Sequence, residues 1–239
     1  VFDFSLKWEL IDGFILDGKA ASTTVSALET QRGLYPSAPQ PGGVGLTPWQ
    51  ARVSFADNHD LKRLRGELDD ANAAELALTV VFTVDAIPAV YYGTEQGFFG
   101  GGDHASREVM WTTGFPTTHR TYRHIHKLAA LRRTTQALRR GTLISRYASK
   151  ISARETGPGA GLLCYERVSG QQRVLVAING HPLQVAVATV QTGFAPGTRL
   201  RDALGVSSAE LTVDPAGRVS LAVAQRKAQI WLARLAGAL

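Results

Sequence analysis

Two kinds of apolar spacing follow one another along the chain and change over near residue 140. Upstream the spacing is helical. Ala73, Leu76, Ala77, Val80, Val81 and Val84 recur at i, i+3, i+4, i+7, i+8 and i+11, one continuous stripe that predicts an α-helix. Asn72-Ala-Ala-Glu75 ahead of the stripe has capping-box spacing, and Pro88 lies beyond its end. Trp8, Ile11 and Ile15 predict a helix starting at Ser5, with those three on its inner side. Tyr122, Ile125, Leu128 and Leu131 predict another over 121–139. Short apolar runs read as strands: Val1–Phe4, Val53–Ala56 and Ala89–Tyr92, the last stopped by Gly93. Between Gly33 and Pro48 the prolines and glycines read as loop. Strands alternating with helices imply a parallel sheet whose loops open on one side.

Downstream of Gly141 the helical stripe disappears. Leu162–Glu166, Val174–Asn179, Val185–Val190, Leu211–Val213, Val219–Val223 and Gln229–Leu232 are short runs rich in β-branched residues. Turn signals such as Gly157-Pro158-Gly159, Asn179-Gly180 and Pro196-Gly197 separate them. This pattern predicts an antiparallel β-sandwich of about 100 residues. The expected organisation is two domains, 1–140 and 141–239. A sandwich buries its own two faces, so the second is expected to stand alone better than the first.

Composition narrows the class without naming a chemistry. The 239 residues are 44% hydrophobic and 19% charged, values of a globular protein and not of a disordered or collagen-like one. No apolar run approaches the length of a membrane span, so no membrane partner is expected. The net charge of +6 is uneven, −2 over residues 1–136 and +8 over the rest. The downstream arginines stand singly along the chain and form no run, so no nucleic-acid partner is expected either. One cysteine, Cys164, allows neither an internal disulfide nor a zinc cluster. Methionine occurs only at position 110, and a chain starting at Val1 reads as a processed product or a fragment. Asp3, Lys7 and Glu9 interrupt the apolar residues at the start, so no signal peptide is read there and the compartment stays open.

Three places at the ends of predicted strands hold dense functional side chains: Asn58-His59-Asp60, Gly93-Thr94-Glu95-Gln96, and the loop Gly100–Trp111 with Asp103, His104, Arg107 and Glu108. Loops after parallel strands converge on one face, and a carboxylate, an imidazole and an arginine meeting there suit a polyhydroxylated or anionic ligand. Each has a plain alternative. Asn58 or Asp60 caps a helix, Glu95 and Gln96 are solvated turn residues, and Asp103 and Arg107 form a surface i,i+4 ion pair.

The combination is more specific than its parts. Phe55-Ala-Asp-Asn-His-Asp60, followed by Ala86-Ile-Pro-Ala-Val-Tyr-Tyr-Gly-Thr-Glu-Gln96, resembles the α-amylase family, glycoside hydrolase family 13. The resemblance extends over essentially the whole chain. It implies an α/β part corresponding to the C-terminal portion of a TIM (β/α)8 barrel, with Val1–Phe4, Val53–Asp60 and Ala89–Gln96 as strands six to eight. The all-β antiparallel sandwich then corresponds to the family's domain C. The implied activity is retaining hydrolysis of α-glucosidic bonds, with an α-glucan or maltooligosaccharide as substrate. Transglycosylases of the same family, trehalose synthase-like or amylosucrase-like, and a non-catalytic carbohydrate- or partner-binding relative are the alternatives. Asp60 resembles the family's transition-state-stabilising carboxylate and His59 its neighbour on the same sugar hydroxyls. Asn58, Asp103 and Arg107 resemble substrate-binding positions. Tyr91, Tyr92 and Trp111 offer stacking surface, with core packing as the alternative for the tyrosines. Strands one to five, the nucleophile and the general acid have no counterpart in this sequence. The resemblance therefore implies that the bond-breaking pair belongs to a missing N-terminal part of the barrel, which this chain takes as its partner. It implies no metal or other cofactor in this chain, the calcium-binding segment usual in this family being among the parts without a counterpart here.

Overall fold

The computed structural model describes residues 1–234, the side chain of Asp103 excepted. Its first half alternates helices with very short parallel strands. Phe2 forms a parallel bridge with Val53, and β1 (Val53–Ser54) pairs in parallel with β2 (Ile87–Pro88). The third apolar run thus enters the ladder at Ile87–Pro88, two residues earlier than Ala89–Tyr92. Pro88 is tolerated because Ile87 and Ala89 supply the N–H groups that reach Arg52 O and Ser54 O, both at 2.8 Å.

The helices are α1 (Phe4–Leu6), which continues as a wider π-helix over Lys7–Leu16, then α2 (Ala21–Arg32), α3 (Leu64–Glu67), α4 (Ala71–Thr83), α5 (Arg120–Thr134) and α6 (Gln136–Arg140). The π winding changes which residues face inward. Leu6 and Ile11, or Leu10 and Ile15, are five apart and stack on one side, burying all four with Phe14. Trp8 is 57% exposed instead of inward, because the spacing of an ordinary helix does not apply there. The stripe of α4 is buried throughout, from Ala73 to Val84. Its cap is Asp70, whose carboxylate accepts from Asn72 N (2.8 Å) and Ala73 N (3.2 Å). Asn72 and Glu75 serve a different purpose from the expected capping box. Both accept from Arg120 at the start of α5, Glu75 Oε1 from its Nε at 2.8 Å and Asn72 Oδ1 from its Nη2 at 3.0 Å. The single helix expected over 121–139 breaks at Thr135. The break turns Ala137 and Leu138 into the core, and the sheet's Gln172 accepts from Ala137 N at 2.8 Å.

The second half is antiparallel β. The strands are β3 (Thr142–Ala148), β4 (Leu162–Ser169), β5 (Gln172–Asn179), β6 (Ala186–Gln191), β7 (Arg199–Asp202), β8 (Leu211–Thr212), β9 (Arg218–Val223) and β10 (Ala228–Ala233). Six of them form one sheet in the order β3-β4-β5-β10-β7-β8, and β6-β9 cover part of one face. Alternation sorts the side chains. Leu162, Cys164, Leu175, Ala177 and Trp231 pack against β6 and β9. Leu163, Tyr165, Val174, Val176, Ile178 and Ile230 point the other way, into one cluster with the helices.

Polar groups stitch this seam. Arg167 on β4 is fully buried and donates to Thr83 O, Val84 O and Gly141 O, closing the C-terminal end of α4. Burial holds its pKa below the usual arginine value. Arg226, in the left-handed region at φ 51° between β9 and β10, donates to Ile15 O and lies 3.6 Å from Asp70.

Candidate functional site

The candidate site is built where the chain leaves β1 and β2. Asp57 is buried, and its two carboxylate oxygens accept from Leu64 N (3.0 Å) and Thr94 Oγ1 (2.8 Å). It therefore ties the loop after β1 to the turn after β2. Burial raises its pKa; the two hydrogen bonds, then Arg63 and Lys7, pull in the opposite direction. Next in sequence, Asn58 Oδ1 accepts from Asp60 N (2.8 Å) and Leu61 N (3.0 Å). This Asx turn folds the chain back and leaves His59 and Asp60 projecting, their side chains 59% and 62% exposed. His59 Nε2 lies 3.3 Å from Asp60 Oδ1, and its ring stands 6.5 Å from that of Tyr91.

The loop over 103–108 closes on the same place. Ser106 Oγ donates to His59 O at 3.3 Å. Arg107 is exposed and near enough to Tyr91 for its charge to favour the phenolate, although burial and the Tyr92 contact keep the Tyr91 pKa raised. His59 and Asp60 thus stand beside Tyr91, and Arg107 follows Ser106, whose hydroxyl reaches His59 O. Asn58 sits in the same loop, but its carboxamide oxygen is occupied by the turn. Asp103 was expected to pair with Arg107; its side chain lies outside the described residues. Tyr91 and Tyr92 pack edge to face at 4.7 Å, and Trp111 is 74% exposed. Gln96 Nε2 donates to Pro116 O at 3.2 Å and so braces a neighbouring loop.

Three residues behind this rim have roles that sequence reading missed. Arg63 is fully buried, stacked 4.2 Å from the Tyr91 ring centroid, and donates to Tyr92 O (2.6 Å) and Glu108 Oε2 (2.8 Å). The other oxygen of Glu108 accepts from Phe99 N (2.9 Å) and Gly100 N (2.8 Å). Asp57 is the third. The available signal was weak: one of the basic residues in Lys62-Arg63-Leu64-Arg65 past Asp60, a glutamate beside Arg107 and an aspartate beside Asn58. Among the described residues, no three or more His, Cys, Asp or Glu side chains gather as a metal ion would require.

No family model matches the sequence. A cyclomaltodextrin glucanotransferase of Bacillus sp. (strain 1-1) is 32% identical over 146 residues, which are 61% of this chain and 19% of that protein. An α-amylase of Niallia circulans is 33% identical over 172 residues, 71% of this chain and 30% of that protein. The chain belongs to the α-amylase family. The crystal structure of a γ-cyclomaltodextrin glucanotransferase from the alkalophilic Bacillus clarkii superposes on 99% of the chain with a TM-score of 0.79 and 26% identity, using 33% of that structure. The chain spans less than a third of the length of these two curated α-amylase-family relatives.

Proposed function

We propose that this chain supplies one wall of an α-glucan-cleaving site, with Asp60 as the carboxylate that holds sugar hydroxyls in the transition state. The observation supporting this most directly is the exposed Asp60–His59 pair, 3.3 Å apart and 6.5 Å from the Tyr91 ring, with Arg107 exposed on the loop that Ser106 ties to His59 O. An ionised carboxylate accepts from vicinal hydroxyls, and these bonds strengthen as charge develops on the sugar ring. His59 donates to the same hydroxyls, Arg107 binds a neighbouring residue of the glucan, and Asn58 holds the turn and offers its amide N–H groups. Asp103 completes this set in our reading.

Retaining cleavage also needs a nucleophile and an acid about 5–5.5 Å apart. Asp57 and Glu108, the carboxylates flanking Asp60, are spent on backbone and side-chain partners. We therefore assign the bond-breaking pair to the part of the barrel that residues 1–140 do not supply, and we read these residues as strands six to eight of that barrel. Calcium, where it is used, belongs to that other part. The glucanotransferases among the relatives favour a second reading in which a sugar, not water, takes the glycosyl group. The chemistry at Asp60 is the same in both.

The test is to titrate the chain with maltoheptaose and to assay it on starch and cyclodextrins. We expect binding that Asp60→Asn weakens and no turnover by the chain alone. Turnover that survives Asp60→Ala, or binding indifferent to Asp60→Asn, overturns the proposal.

A further inference from the structure

We infer that Glu108 is a positioning residue: it sets the placement of the sugar-facing rim without touching the sugar. This inference rests on the glucan-binding reading of Asp60, His59 and Arg107. Glu108 is the point at which three loops meet. Through Oε1 it accepts from Phe99 N and Gly100 N, within the glycine-rich stretch Gly97–Gly102. Through Oε2 it accepts from the buried Arg63, three residues past Asp60. Its carbonyl accepts from Tyr92 Oη at 3.0 Å, on the segment after β2. Arg63 closes the circuit, donating its own N–H to Gly100 O at 2.9 Å.

The fit leaves no slack. A Cβ on Gly100 would lie 1.9 Å from Ala105 O, and one on Gly66 would lie 2.7 Å from Phe99 O. Because Glu108 follows Arg107 directly, holding one fixes the backbone of the other. Ser106, two residues earlier, then carries that placement to His59 O. A carboxylate accepting from two backbone N–H groups and a guanidinium is charge-assisted on both oxygens, the stronger class of hydrogen bond. Three of its roughly four lone-pair positions are taken by donors of this chain, which is why positioning, not contact, is its assigned role.

The experiment uses the full chain as wild type, Glu108→Ala, Glu108→Gln and a distant core variant, Leu221→Ala. Each is measured for maltoheptaose affinity, melting temperature and amide hydrogen exchange. Glu108→Ala should speed exchange at Phe99, Gly100 and Arg107 and weaken maltoheptaose about tenfold, the loss of one to two hydrogen bonds' worth of preorganisation. Glu108→Gln keeps an acceptor for both amides but turns its N–H groups toward the buried Arg63, which loses its carboxylate there; it should weaken maltoheptaose between about threefold and tenfold, and it serves if the alanine variant does not fold. Leu221→Ala should lower the melting temperature and leave affinity unchanged. Wild-type affinity in Glu108→Ala overturns the inference, as does equal weakening by Leu221→Ala, or, where the alanine variant does not fold, wild-type affinity in Glu108→Gln. If the wild type itself binds no maltoheptaose, the glucan reading fails. Exchange at Arg107 then decides the positioning role, unchanged protection in Glu108→Ala overturning it.

Discussion

Cutting the chain before Gly141 tests whether its two halves share one core. The large sheet presents Leu163, Tyr165, Val174, Val176, Ile178 and Ile230 to the helices, and each is 0–2% exposed in the intact protein. Residues 141–239 expressed alone would return these six side chains to water. At roughly 1.5–3 kcal/mol for each large apolar side chain, the exposure costs about 9–18 kcal/mol. That is as large as the whole stability of an ordinary domain, about 5–15 kcal/mol. Arg167 would also lose Thr83 O and Val84 O, keeping only Gly141 O. The core around Leu162, Leu175, Leu200 and Trp231 survives the cut, so strand content persists while fixed packing does not. The fragment should retain far-UV β signal, bind an apolar dye and lose near-UV ellipticity. A cooperative urea transition with no dye binding would refute the reasoning and restore the expectation that the sandwich stands alone.

Three further outcomes follow from the same contacts. Arg167→Met strips three buried carbonyls of a charged donor and should cost about 3–5 kcal/mol, read as a lower urea midpoint at unchanged slope. His124 is buried against Thr79 Oγ1 and Glu75 O, and burial holds its pKa below 6.5. The unfolded chain therefore takes up its proton first, so stability from this group is complete above pH 6.5 and is lost as pH falls below it. His124→Gln should remove that part of the acid dependence in urea midpoints measured from pH 7 to about 5. Gly100→Ala forces the turn at Ala105 to move and should destabilise by about 1–3 kcal/mol, with shifted amide resonances at Ser106 and His59.

What could be read in advance follows from which interactions are local. The α4 stripe and the alternation in β4 and β5 are properties of neighbouring residues, and the strands and helix formed where those patterns lay. Asn72 and Asp70 differ by two positions, and the spacing favoured Asn72 because Glu75 follows it at the right interval. Asp70 wins because Glu75 is drawn to Arg120, 45 residues away. Two strands carried no readable signal. Of Arg199–Asp202, only Leu200 packs as an apolar residue, and Asp202 holds the strand end through Leu204 N, Val206 N and Ile230 N. In Thr142–Ala148 a register shift between Ser145 and Tyr147 breaks the alternation. At the candidate site, Asn58, His59 and Asp60 are contiguous and legible. The pairing of Arg63 with Glu108 spans 45 residues, and no spacing rule reaches that far.

The same contrast explains how two-residue strands carry an ordered rim. β1 and β2 pair over Val53–Ser54 and Ile87–Pro88 alone, a ladder too short to aim the loops that follow it. Orientation comes from buried polar atoms beyond the ladder: Asp57 on Leu64 N and Thr94, Arg63 on Tyr92 O and Glu108, and Glu108 on Phe99 N and Gly100 N. Buried groups are costly to leave unpaired, so the bonds that Asp57 and Arg63 make favour one geometry where an apolar filling would allow several, although Arg63 Nη2 has no hydrogen-bond partner. Asp60 and His59 then stand exposed on a braced backbone, which under the glucan-binding proposal lowers the reorganisation that a ligand would require.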